Sequence, residues 1–178
     1  MSNRHLGANQ VMNIAEAVER WDGKSADDIG DIYHHHHQVD SFVPELIELC
    51  GQAGFEKGAT WLLKCHLEKQ HPLKADQIAA LYKMAAKFES WEAKLHVLQS
   101  MPYLPVGQSE KNSVEFLLRE CLMDKNKFVR TWAYNGFYEL SVQYPEYADE
   151  TRLFFEMAMK DEAASVKARI RNILKKGF

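Results

Sequence analysis

Apolar residues along this chain recur three or four positions apart and almost never two, a spacing that predicts helices. Val11, Ile14, Ala15 and Val18 form the first stripe, which ends near Trp21 and the turn Asp22-Gly23-Lys24. Ser25-Ala26-Asp27-Asp28 reads as a helix start, a small polar cap followed by first-turn acids, and Ile29, Ile32 and Tyr33 continue it. Ser41 is placed to cap the next helix. Pro44 is tolerated in its first turn, Val43, Leu46, Ile47 and Cys50 make its apolar face, and Gly51 is the expected stop. Gly54 and Gly58 are expected to flank the following helix start. Trp61, Leu62, Cys65 and Leu67 make another stripe, and Pro72 interrupts it. Ile78, Leu81, Tyr82, Met84 and Ala85 resume, followed by Trp91, Leu95, Val97 and Leu98. Residues 101–107 contain two prolines and a glycine and are expected to be a loop. Four more helical segments follow from Ser109, broken near Asp124, Pro145 and Asp161. Strict alternation over four residues is missing, as are Asn-Gly hairpin signals, so no sheet is expected. The pattern predicts about ten helices with short connections.

Self-comparison adds a period. Residues 113–139 overlay residues 150–176 at an offset of 37. Phe116-Leu117-Leu118 falls on Leu153-Phe154-Phe155, Cys121-Leu122-Met123-Asp124 on Ala158-Met159-Lys160-Asp161, and Val129-Arg130 on Val166-Lys167. The same offset backwards puts Ala79-Ala80-Leu81 under Phe116-Leu117-Leu118. One step further back the match loosens, because Pro44 takes an apolar position. A unit of this length is two antiparallel helices. One pair alone cannot bury both apolar faces, so neighbours must stack into a continuous core. About four such units cover residues 39–178, and residues 1–38 supply helices that cap the stack, all within one domain.

The segment Asp124-x-x-x-x-Val129-Arg130-x-x-Ala133-x-x-Gly136-Phe137-x-x-Leu140 resembles the second-helix pattern of HEAT/armadillo repeats, and Asp161-x-x-x-x-Val166-Lys167-x-x-Ile170-x-x-Ile173-Leu174 is a second copy. The resemblance is clear over residues 113–178, moderate over 75–98 and weak before that. It implies an all-α, right-handed α-α superhelix of antiparallel helix pairs. It also implies that the aspartate closes the turn within a unit and that the basic residue after valine pairs with the aspartate of a neighbouring unit. Arg130 with Asp161, or Lys167 with Asp124, are the pairs so implied. The pattern specifies architecture better than activity.

Composition narrows the rest. The chain has 178 residues, 46% hydrophobic and 26% charged, with a formal net charge of −3. That is enough chain for a sizeable core without disulfide or metal, and the charge argues against a dedicated nucleic-acid or membrane binder. Cys50, Cys65 and Cys121 are far apart and form no C-x-x-C, which fits a reduced, cytoplasmic setting. Residues 1–10 hold no apolar stretch of signal-peptide length, and no window approaches the roughly 20 apolar residues of a membrane span.

Candidate chemistry is sparse. Four consecutive histidines, His34 to His37, spread around a helix so that only His34 and His37 share a face, and they read as a solvated helix end. A metal site would need ligands from elsewhere, such as Cys65, His66 or His71. Cys65-His66 could suggest a thiol–imidazole pair, but Cys65 sits on an apolar stripe and reads as a small buried hydrophobe. No catalytic set, cofactor or metal site is expected. Two features remain. Trp132 and Tyr134 cannot share a face with Val129, Ala133 and Phe137, so at least one of them should reach a surface where an aromatic ring anchors a partner. Residues 163–178 carry five basic residues and no acid, and Lys125, Lys127 and Arg130 occupy the matching stretch one unit earlier. The partner-binding candidates are therefore Lys127, Arg130, Trp132, Tyr134, Lys167 and Arg171. They suggest a non-catalytic protein-interaction module that holds its partner on the concave second-helix face. The alternative is a nucleic-acid binder similar to the HEAT-like alkylpurine DNA glycosylases, using the C-terminal basic patch. This chain departs from that family in being acidic and in offering no placeable catalytic aspartate.

Overall fold

The computed structural model describes residues 12–178, so the expected role of Val11 lies outside the described residues. Helix starts follow local chemistry. Asn13 accepts a hydrogen bond from the Glu16 amide at 2.9 Å, Ser25 from Asp28 at 3.1 Å, Ser90 from Ala93 at 3.1 Å and Asn126 from Phe128 at 2.9 Å. Each satisfies an amide that the first helical turn leaves unpaired. Among the described residues ten α-helices result: α1 (Ile14–Arg20), α2 (Ala26–His36), α3 (Phe42–Cys50), α4 (Glu56–Glu68), α5 (Ala75–Ala85), α6 (Trp91–Ser100), α7 (Lys111–Leu122), α8 (Lys127–Gln143), α9 (Ala148–Asp161) and α10 (Ala164–Leu174). Short 3-10 turns lie at Met101–Tyr103 and Pro145–Tyr147. Among the described residues there is no strand, and no helix is long and apolar enough to cross a membrane.

Each odd-numbered helix packs on the even-numbered helix that follows it. The even helices α2, α4, α6, α8 and α10 touch in succession, and so do α1, α3, α5 and α7. Helix α9 joins through Pro145–Tyr147, α8 and α10. From α3 onward the odd helices begin 33, 36 and 37 residues apart, so the first interval is shorter than the self-comparison suggested. Hydrogen bonds involving side chains repeat this period. Apart from the Tyr82 hydroxyl donating to Leu104, those that join sequence-distant residues link positions 31 to 38 apart: Thr60 with His96, Ser90 with Glu56, Val106 with Gln143, Arg130 with Glu162.

The core is one long apolar seam from Ile14 to Tyr147, with a second cluster of Tyr134, Phe155, Ala158, Val166, Ile170 and Ile173 where α9 and α10 close the end. The packing corrects two sequence expectations and bears out a third, Gly51 as the stop of α3. Gly58 lies inside α4 rather than before it; a Cβ there would sit 2.6 Å from Val18 Cγ1, so its absence lets the end of α1 settle on α4. Gly51 ends α3 with φ −83, so the stop uses no left-handed conformation. The expected loop at residues 101–107 is packed: Met101, Leu104 and Val106 are buried, the Tyr82 hydroxyl donates to the Leu104 carbonyl at 2.8 Å, and Tyr144 donates to the Val106 carbonyl at 2.7 Å.

Candidate partner-binding face

The face in question is built by α8 and α10. Helix α8 buries Val129, Ala133, Phe137 and Leu140 at helical spacing, which fixes the direction of every other side chain on it. Lys127 is exposed at the helix start, its ammonium 5.4 Å from the Phe128 ring centre. Arg130 is not available to a partner. Its guanidinium donates to both carboxylate oxygens of Glu162, at 2.7 and 3.0 Å, and to the Asp124 carbonyl at 2.9 Å. That fork ties the start of α8 to the turn between α9 and α10, and the guanidinium beside Glu162 holds that carboxyl below its ordinary range.

The expected polar ladder is thus shifted by one residue. Arg130 meets Glu162, while Asp161 at the end of α9 is exposed. Asp124 accepts from the Asn126 amide at 2.8 Å, and its other oxygen lies 3.8 Å from the Lys94 ammonium. Lys167 donates to the Lys160 carbonyl at 3.0 Å, and so tethers the C-terminal end of α9. Glu162 rather than Asp161 faces Arg130 because the chain leaves α9 after Asp161 and turns extended at Glu162.

Tyr134 is also removed from the surface. It is 8% exposed and meets Phe155 edge-on with ring centres 6.3 Å apart. Trp132, two residues earlier, points about 160° away around the helix and packs half-buried against the main core. Its outer ring face is occupied. The guanidinium carbon of Arg169, from α10, lies 3.9 Å from the ring centre, the distance of a stacked cation–π pair. Among the described residues Arg169 has no ion pair, and burial alone pulls it below the ordinary guanidinium value. Glu162 is engaged by Arg130. Glu139, the one acid on α8, takes a 3.5 Å bond from Asn135, and burial raises it despite Lys176. Asn135 and Thr131 sit on the side of α8 turned away from its core stripe, yet are only 3% and 7% exposed. Arg171 is exposed on α10.

Arg169 escaped the candidate set, although a signal was present. Positions 132 and 169 are one 37-residue period apart, and equivalent positions of adjacent stacked helices meet. Also missed was a cavity of about 530 Å³ beside α6 and α7 with a mixed lining, Trp91, Phe116 and Met123 with Glu120 and the Lys94–Asp124 pair. Phe116 is 62% exposed and Leu153, its equivalent, 58%. The first residue of each apolar triplet therefore faces out, not in.

Groups with catalytic potential are otherwise engaged. Burial pushes the Cys50 and Cys121 thiols up to about 12, far from a reactive thiolate. Cys65 is half-buried and also raised by burial. His66 is buried, with Nδ1 3.3 Å from the Tyr33 hydroxyl and its ring stacked on His71 at 4.8 Å. In the histidine run, His35 and His37 place Nδ1 at 2.7 and 3.0 Å from the Asp31 and Tyr33 carbonyls, closing the end of α2. No group of three or more His, Cys, Asp or Glu residues stands in a metal-holding arrangement among the described residues. No protein-family model, no curated protein and no solved structure matches the chain.

Proposed function

We propose that the chain is a non-catalytic interaction module of HEAT-repeat type, its helix pairs winding as a right-handed α-α superhelix in a reduced, cytoplasmic setting. A protein partner lies on the face made by the even helices, chiefly α8 and α10. The alternating contacts of odd and even helices and the 31–38-residue spacing of the linking hydrogen bonds support the architecture. One observation carries the function. Helices α8 and α10, with the two residues after α10, carry Lys127, Arg130, Lys167, Arg169, Arg171, Lys175 and Lys176 against a single acid, Glu139. A local positive surface on a chain of net charge −3 suits an acidic partner surface and steers its approach.

The nucleic-acid reading shares these cations. Two features weigh against it. Arg169 covers the Trp132 ring face that a base would use, and Glu139 stands within the strip. A photo-crosslinking residue at position 127 or 171, expressed in the host, is expected to capture one discrete protein that Lys127→Glu/Arg171→Glu abolishes. The same probe at Leu153, on the opposite layer, is expected to capture none. Capture from Leu153 alone overturns the assignment of the face. A shift of duplex DNA at about 50 mM salt, where phosphate contacts are strong, favours the nucleic-acid reading instead.

A further inference from the structure

We infer that Arg169, held on Trp132, is the seat for a side-chain carboxylate of an acidic segment of the partner; this rests on the reading of α8 and α10 as the interaction face. A guanidinium stacked flat on an indole keeps its N–H groups around its edge, where they form a fork for a carboxylate. The Arg169 guanidinium carbon lies 3.9 Å from the Trp132 ring centre, so the group is held over the ring before any ligand arrives. Trp132 faces the main core and Tyr134 the opposite flank. Arg169 thus reaches from α10 to a ring on the far flank of α8.

The cation carries a desolvation cost with no counter-anion among the described residues. Arg130 occupies both oxygens of Glu162, and Glu139 has Asn135 and Lys176 as neighbours. Stacking offsets part of that cost, and an incoming carboxylate would offset the rest. The choice of carboxylate over a phosphate chain follows from the isolation of the site. Among the described residues no second cation bears on Arg169, and a single planar fork matches one carboxylate, whereas a phosphate chain needs a row of cations.

Hexaglutamate is the probe, measured by calorimetry and tryptophan fluorescence at about 20 mM salt. Wild-type protein is expected to bind it with a change in fluorescence. Arg169→Gln is expected to weaken binding at least about tenfold, the range for a charge-assisted fork. Arg169→Lys should fall in between, because charge survives and the planar fork does not. In Trp132→Phe the fluorescence change should vanish. Thermal melts accompany these measurements. Removing an uncompensated cation is expected to leave Tm unchanged or higher, whereas a purely structural Arg169 would lower it. If Arg169→Gln binds hexaglutamate as the wild type does, the seat is overturned; if Lys127→Gln/Arg171→Gln then abolishes binding, the wider face survives. No binding by the wild type overturns both. Tighter binding of a ten-residue oligothymidine than of hexaglutamate overturns the carboxylate assignment.

Discussion

Gly136 shows how a single position controls the packing of α8. A Cβ there would overlap Leu118 and come within 2.9 Å of Met101 Sδ. Both of those side chains are themselves fully buried and have nowhere to go. A helical glycine ordinarily costs about 1 kcal/mol relative to alanine, so its presence marks a close helix approach. Gly136→Val is expected to destabilise by about 2–3 kcal/mol through overpacking; a denaturant midpoint equal to the wild type would show that the contact relaxes freely. Histidine gives a second residue-scale effect. Burial, with His71 and His37 nearby, pushes His66 down to about 4, and burial, with Lys64 nearby, does the same to His96. An unfolded histidine titrates near 6.5. Because the folded values lie lower, the unfolded chain binds the extra protons between about pH 6.5 and 4. Stability is therefore intact above that window, falls as pH drops through it, and levels off below it for these two groups. A loss of a few kcal/mol for the pair is expected from denaturant melts between pH 7 and 4, with a flatter profile in His66→Gln and His96→Gln. A flat wild-type profile would remove the assignment.

Between elements, the Arg130–Glu162 fork joins the start of α8 to the turn after α9. Both side chains are mostly shielded, 22% and 15% exposed, so the pair escapes the screening that weakens surface ion pairs. A double-mutant cycle of Arg130→Ala and Glu162→Ala is expected to give a coupling of about 1–2 kcal/mol, and a coupling near zero would reduce the fork to a surface contact. Sequence reading found the arginine but named Asp161 as its partner. Apolar periodicity locates helices within a residue or two, whereas the partner of a polar side chain depends on where α9 ends. The same limit explains Tyr134 and Trp132. Their opposition around α8 was legible from spacing alone. Which flank a neighbouring helix would cover was not, because that depends on where α9 and α10 dock. Arg169 over Trp132 lies between these cases, since the period announces the pairing but not the stacking. Phe116 and Leu153 are exposed because an apolar stripe on a helix cannot hold three consecutive residues, and repetition alone does not say which one faces out.

At the scale of the molecule, α8 is the hub. It packs against α6, α7, α9, α10 and both 3-10 turns, and Phe137 and Leu140 on it are fully buried. Among the described residues the first pair, α1 and α2, has neighbours on one side only, in α3 and α4. Stability in a stack of this kind is a sum of unit and nearest-neighbour terms, so cooperative opening is expected to begin at an end. Ile29, fully buried on α2, tests this separately from the hub. Ile29→Ala is expected to cost about 2–4 kcal/mol. If coupling runs only between neighbours, that loss appears in hydrogen exchange as faster amide opening across α1 to α4, with α8 and α10 nearly unchanged. Phe137→Ala, at about 3–5 kcal/mol, is expected instead to lower protection in α6, α7, α8 and α10 together. Equal loss of protection across all ten helices from Ile29→Ala would mean that the chain opens as one unit. The helix pairs would then be a sequence period without independent energetic meaning, and a partner docked on α8 and α10 would stabilise the N-terminal helices as much as its own contacts.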